Sequence, residues 1–412
     1  MDSRRLHVTF PSSSTKDVHQ FQKALPDLSE PAEIGCFSLS YVNETRREFH
    51  DDARGLRLLL RRPSYPLSLD LKEGFDTYKK FDEGARMNEH LDHFLHWILL
   101  HPQEFLFRKQ SHKSRKKELV VCVRGSLTDL MMTPYEKNDG WIFVVCRIDG
   151  VLYLTKFETE QDVYRWENGT EEKENFMYWG YKFEQYMQVP PEDPQAFQGP
   201  INNSEGFHSV IYTKLSDTGI LLVGEMDCLD PKAPPTTPAP FCYVELKTTK
   251  LYPGLDLSVK QTFLCGPKLL KYWAQSAICG VPKILIGFRN GDGVVEKTEE
   301  VATVKLPLLA KEASRHGLKD SVWKQEVCLN FLDGFLKFVG QVVAKDYDKA
   351  AYKFEWSPGK SGVNVSEEAP GSRWNFIPEW YLQSRPGQKV PVKKVREAPH
   401  GNYGENLLRS LI

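Results

Sequence analysis

The 412-residue chain lacks any cysteine pairing pattern. Its eight cysteines, Cys36, Cys122, Cys146, Cys228, Cys242, Cys265, Cys279 and Cys328, are scattered, and no two stand in a CxxC spacing. Most lie in apolar runs such as Val120-Val121-Cys122-Val123. That excludes a zinc-ribbon ligand set and a disulfide framework, and predicts buried thiols in a reducing compartment. Long apolar runs are missing too, so no segment is expected to cross a bilayer. The first residues, Met1-Asp2-Ser3-Arg4-Arg5, carry no signal-peptide stretch; the expectation is a soluble intracellular protein with no membrane partner. Charge of one sign is absent as well, 54 basic residues against 55 acidic leaving a formal −1. A broadly basic coat for nucleic acid is thereby excluded. A polyanion would have to be held in a local groove, partly through metal ions.

What is present is enough chain for a large core, as one big domain or two modest ones. No repeat and no linker divides it. The expected fold class is α/β: a single large domain over residues 31–385, with mixed β-sheets flanked by helices. A flexible segment, 1–30, with Ser12-Ser13-Ser14, precedes it, and a tail rich in Pro, Gly and Lys, 386–412, follows. Leu91, Phe94, Leu95, Ile98 and Leu99 predict one amphipathic helix over 85–100. Further helices are expected over 175–187, 260–276 (with Leu264, Leu269, Leu270, Trp273 and Ala274 inward) and 321–343. Strands are expected over 118–124, 141–148, 151–157, 207–215, 219–227, 241–247 and 282–288. Asp149-Gly150 reads as a hairpin turn. The loop 231–240 is proline-rich, and Lys113 to Lys117 is a basic run.

Two acidic trios stand out, Glu225-Met226-Asp227 and Glu245-Leu246-Lys247, each closing a strand-like run. Alternation along a strand puts Glu225 with Asp227 on one face, and Glu245 with Lys247. If the two strands are neighbours, three carboxylates and one ammonium share a small volume. Repulsion among the acids then calls for protonation or a bound cation, and all-oxygen ligands suit Mg²⁺ or Mn²⁺. The plain alternatives are solvated strand ends for the first trio and a same-face salt bridge for the second. For Gly180-Tyr181-Lys182-Phe183-Glu184 the alternative is an aromatic helix with Glu184 exposed or paired. Gln275 could be any polar residue on a helix face, and Arg124 a structural ion pair instead of a fork for a phosphate. The spacing acid, short interval, acid-x-Lys matches the PD-(D/E)XK nuclease pattern.

Val123-Arg124-Gly125, Gly180 to Glu184, Gly224 to Asp227, Glu245 to Lys247 and Lys271 to Gln275 occur in that order. Together they resemble the decapping and exoribonuclease family of RNA 5′-end quality-control enzymes. Glu33 to Leu39, Thr133-Pro134-Tyr135-Glu136 and Gly280-Val281-Pro282 extend the resemblance over roughly residues 30 to 385. It implies a PD-(D/E)XK nuclease-like core with two Mg²⁺ or Mn²⁺ ions held by Glu184, Glu225, Asp227, Glu245 and the Leu246 carbonyl. Lys247 and Gln275 would contact the scissile phosphate or the attacking water, and Arg124 would steady the RNA near its 5′ end. The implied substrate is single-stranded RNA with an absent, unmethylated or NAD cap, and the implied residence is the nucleus. Lys113–Lys117 and Lys389–Arg396 are the only basic candidates for a localisation signal. A monomer is the default, and an exoribonuclease partner is left open. A DNA nuclease on the same core and a catalytically idle RNA-binding scaffold are the competing readings.

Overall fold

Asp149 and Gly150 hold φ of 50° and 82°, the left-handed pair that a two-residue hairpin turn requires. They join β7 (Trp141–Ile148) to β8 (Val151–Phe157) in register from Ile148↔Val151 to Ile142↔Phe157. The structure, a computed structural model, describes residues 4–11, 18–60, 67–113, 117–190, 199–250, 267–315, 323–360 and 362–387. Among the described residues the first sheet has ten strands, in the order β1 (Arg4–Pro11), β17 (Gly362–Glu368), β16 (Ala351–Trp356), β7, β8, β6 (Leu119–Val123), β11 (Thr218–Glu225), β10 (Gly206–Leu215), β2 (Ala32–Asn43) and β3 (Arg46–His50). Only β6 is parallel to its neighbours, β8 and β11. Its near-continuous apolar sequence is what a strand covered on both faces needs.

The second sheet has seven described strands, in the order β5 (Leu69–Asp70), β15 (Val294–Ala302), β14 (Lys283–Arg289), β13 (Tyr243–Lys250), β12 (Cys228–Leu229), β4 (Leu58–Leu59) and β9 (Gln188–Val189). One apolar cluster joins the two sheets. It links Val120, Cys122, Ile220 and Leu222 of the first to Ile284, Ile286 and Phe288 of the second through Leu269, Ile278, Phe331 and Phe335. The helices Arg124–Met132, Pro267–Cys279 and Gln325–Val342 carry the bridging side chains. Helix Asp92–Leu100 packs Phe94, Leu95, Trp97 and Ile98 on the other face of the first sheet. Helix Glu171–Met187 packs Trp179, Phe183 and Met187 on the outer face of the second.

Several expectations need correction. The helix expected over 85–100 is two, Glu83–Glu89 and Asp92–Leu100, because His90 takes a positive φ of 41° and interrupts the hydrogen bonding. The helix expected from 175 starts at Glu171, where Thr170 accepts a hydrogen bond from Lys173 N at 3.3 Å as N-cap. Within the segment expected to be flexible, Arg4–Pro11 form β1, paired with β17. The strand expected to reach Arg124 stops at Val123, and the one expected to reach Asp227 stops at Glu225. Ser12 to Ser14, Ser114 to Lys116, the stretch 260–266 with Leu264 and Cys265, residues 321–322, and Lys389 to Arg396 with the rest of the tail from 388 lie outside the described residues. The seven described cysteines are buried and unpaired. No described helix is long and apolar enough to cross a membrane.

Candidate active site

The apolar run of β11 carries the chain to the rim of the first sheet, where Glu225 ends the strand with its side chain exposed. Glu225 pairs across β10 with His208, and a Cβ placed on Gly206 would stand 2.6 Å from Glu225 Oε1. Glycine at 206 is therefore what lets that carboxylate lie close over the neighbouring backbone. The chain then leaves one sheet for the other. Met226 is buried, its N–H donating to Phe207 O at 2.9 Å, and β12 of the second sheet begins at Cys228. Asp227 sits on this crossing.

β11 and β13 are thus not neighbours, contrary to the premise drawn from sequence. The two trios meet for another reason. β12 covers β13 only at Cys228↔Val244 and Leu229↔Tyr243, so the edge of β13 is uncovered from Glu245 onward. Asp227 Oδ2 fills the first gap by accepting the Leu246 N–H at 2.5 Å. A strand residue projects its N–H and C=O to the same side, so the Leu246 carbonyl faces this open edge as well.

Glu245 and Lys247 share a face, as alternation requires, and Lys247 Nζ lies 2.6 Å from Glu245 Oε1 and 3.9 Å from Asp227 Oδ2. Arg124 is the first residue of its helix, not the last of a strand, and its Nη1 donates to Glu245 Oε2 at 2.9 Å. Of the two roles open to it, structural ion pair and fork for a phosphate, the structure shows the ion pair. A carboxylate only 1% exposed is the nearer demand on a guanidinium that is itself 13% exposed. Burial alone disfavours the charged form of Glu245, but Arg124 and Lys247 outweigh it and hold the carboxyl down at about 2. Asp227 goes the other way: burial and then the Glu245 charge push it up to about 7, against the pull of Lys247 and the Leu246 N–H. Glu184, half-buried on its helix, is pushed well above the usual range by burial and then by Asp227. Lys247 is held protonated by Glu245, Asp227 and Glu184, which overcome its desolvation.

Glu184, Glu225, Asp227, Glu245 and Lys247 therefore share one electrostatic neighbourhood. Gln275 is less closely placed. On its helix, Tyr272 Oη donates to Thr248 O at 3.2 Å. Cys279 Sγ and Arg124 Cδ both lie within 3.3 Å of where a Gly224 Cβ would be. Gln275 falls three residues after one and four before the other, on the same helix face, yet it makes no hydrogen bond to the acidic group among the described residues. The signals that sequence reading missed are Gly206 and the short β12. Neither is visible without the strand register.

The donor set suits a hard divalent cation. It is all oxygen, and Glu245 Oε1 is a buried oxygen met by the Lys247 ammonium at 2.6 Å. Among the described residues no three acidic, His or Cys side chains already converge at ligand distance; Arg124 and Lys247 supply the counter-charge.

The profile of the RAI1-like PD-(D/E)XK nuclease family matches residues 29–382. The decapping and exoribonuclease protein of Homo sapiens is 37% identical over 376 residues, 89% of this chain and 88% of that protein. The structure of Scheffersomyces stipitis Rai1 in complex with (3′-NADP)⁺ and calcium ion is similar, with a TM-score of 0.74 at 23% identity over 93% of this chain and 99% of that one. Candida albicans Rai1 in complex with pU5-Mn²⁺ gives 0.72 at 20% identity, with the same coverage. These two likenesses are likenesses of fold.

Proposed function

Because the chain belongs to the RAI1-like PD-(D/E)XK nuclease family, we propose that it is a metal-dependent hydrolase of RNA 5′ ends. It removes unmethylated or NAD caps, releases pyrophosphate from 5′-triphosphate RNA, and degrades 5′-monophosphate RNA in the 5′→3′ direction. The observation that carries this is the acidic group around Lys247 at the uncovered edge of β13, in a chain with 37% identity to a decapping and exoribonuclease protein. Residence in the nucleus belongs to the same proposal and rests on the family resemblance.

Glu184, Glu225, Asp227, Glu245 and the Leu246 carbonyl would hold Mg²⁺ or Mn²⁺, as two ions. A neighbour in fold is bound to Mn²⁺ and another to calcium, which supports a divalent requirement. The chemistry such ions supply is a more acidic water and neutralisation of charge on the phosphoryl oxygens. The chain's own residues do the rest. Lys247 presents a fixed ammonium where charge builds on the scissile phosphate, and Glu245 orients it. Arg124 keeps Glu245 ionised, and so acts on the substrate through that carboxylate. Asp227, tied to Leu246 N–H, fixes the sheet crossing that brings Glu225 to the site. Gln275 flanks the phosphate from its helix face.

The test uses one RNA body carrying in turn a 5′ monophosphate, triphosphate, unmethylated cap, methylated cap or NAD, with Mn²⁺, Mg²⁺ or EDTA. The wild type should act on all but the methylated cap, and only with metal. Glu225→Ala/Asp227→Ala should lose activity on the order of 10²–10³-fold or more. A wild type that binds RNA but alters no end would make the protein a scaffold; cleavage of duplex DNA alone would make it a DNA nuclease.

A further inference from the structure

Away from the acidic group, the helix Glu171–Met187 and the ends of β13 and β14 enclose a cleft of about 470 Å³. Its helical wall is Glu172, Asn175, Phe176 and Trp179, positions i, i+3, i+4 and i+7 of one face. Its other wall is Lys250 and Arg289, directly paired across the two parallel strands. The Arg289 guanidinium lies 4.5 Å from the Trp179 ring centre and 5.1 Å from that of Phe176. The two rings meet edge to face at 5.1 Å. Gly293 keeps this arrangement possible, since a Cβ there would stand 2.8 Å from the Trp179 ring. Phe176 is 46% exposed, a large ring held half in water beside the Arg289 guanidinium.

We infer that this cleft is a second nucleotide subsite, which takes one nucleotide of the RNA body downstream of the 5′ end held at the acidic group. The inference rests on the function proposed above. An exposed aromatic ring offers a base-stacking platform that tolerates any sequence. The Asn175 amide can meet a base edge, while Lys250 and Arg289 bring positive charge for a phosphate. The volume is in the range of small-molecule sites. Reach also fits. Phe176 lies eight residues from Glu184 on the same helix, about 12 Å at 1.5 Å per residue, or about three to four stacked nucleotides at roughly 3.4 Å each. A chain with net charge −1 needs such a local cationic foothold to hold RNA while the 5′ end is processed.

The experiment compares a 5′-monophosphorylated dinucleotide, too short to reach the cleft, with a ten-nucleotide RNA. Wild type, Phe176→Ala and Lys250→Ala are assayed for turnover, and for binding of the ten-mer by fluorescence anisotropy across a salt series. The expected result is a KM for the ten-mer raised about tenfold in either variant, with kcat and dinucleotide turnover unchanged. Lys250→Ala should also flatten the slope of log affinity against log salt by about 0.7, one phosphate contact on a single strand. Equal effects on both RNAs, or none on either, would overturn the subsite while leaving the hydrolase intact. A wild type inert on both RNAs would count against the hydrolase itself; anisotropy still decides the subsite, since variants that bind the ten-mer as tightly as wild type overturn it. Loss of binding to a protein partner with RNA affinity unchanged would assign the cleft to protein docking and also overturn it.

Discussion

Single residues in this protein are governed by which partner burial leaves them. Glu245 is a buried acid and Glu33 a half-buried one, and they titrate in opposite directions. Glu245 has two cations at hand and is held at about 2. Glu33 has none, only the hydroxyls of Ser209 and Tyr243 donating to its Oε2 at 2.6 and 2.7 Å. Burial wins over those two donors, and its carboxyl rises from an ordinary 4.5 to about 7. A folded state that holds a proton more tightly than the unfolded chain is favoured at low pH. Stability should therefore fall as pH rises from about 4.5 through about 7, then level off. Glu33→Gln keeps an acceptor for both hydroxyls and removes the charge. At pH 8 it should be more stable than wild type by about 1–3 kcal/mol, with the two nearly equal at pH 5. Urea unfolding at both values measures this, and a gap of the same size at pH 5 and pH 8 would rule the mechanism out.

At the scale of elements, periodicity made the elements legible and register placed them. The Asp149-Gly150 turn and the apolar β6 were readable because a left-handed turn and a doubly covered strand each leave a local signature. The break at His90 was not, since the residues that carry the helical spacing, Leu91 to Leu99, all lie after it. The pairing partners of β11 and β13 were equally hidden: strand neighbours are set by long-range contacts, and Glu245-Leu246-Lys247 looks the same at an open edge as at a covered one. Helix Glu171–Met187 shows the consequence for function. It rests on the second sheet where a Cβ on Gly287 would come within 2.5 Å of the Phe183 ring, one residue before Glu184. Gly287→Ala must push the helix off the sheet, at a cost of about 1–3 kcal/mol. The same shift moves Glu184, so kcat should fall about tenfold or more, as for a small misplacement of a positioned group. Denaturant unfolding and single-turnover kinetics on one sample test both. Lost stability with unchanged turnover would show that Glu184 tolerates the displacement.

For the molecule as a whole, the acidic group is also a joint. Glu225 closes the first sheet, Glu245 belongs to the second, Asp227 lies on the strand crossing between them, and Glu184 comes from the helix outside the second sheet. The legible part of this site was its chemistry, because four acids and a lysine in fixed order carry it; the unreadable part was that they come from separate layers. A divalent ion bound by all four would hold those layers together, and binding to the folded state alone stabilises it by about 2.7 kcal/mol at a hundred times Kd. Mn²⁺ should raise the melting temperature by roughly a few degrees, reversibly with EDTA. Asp227→Asn is the informative variant, because an amide oxygen can still accept the Leu246 N–H while the charge is gone. It should lose most of the Mn²⁺ shift. In EDTA it should melt no lower than wild type, because burial and the Glu245 charge already push Asp227 toward its neutral form. If Asp227→Asn keeps the full Mn²⁺ shift, the ion binds elsewhere on the chain. If it melts far lower in EDTA, Asp227 holds the sheet crossing by its charge and not only by its hydrogen bond.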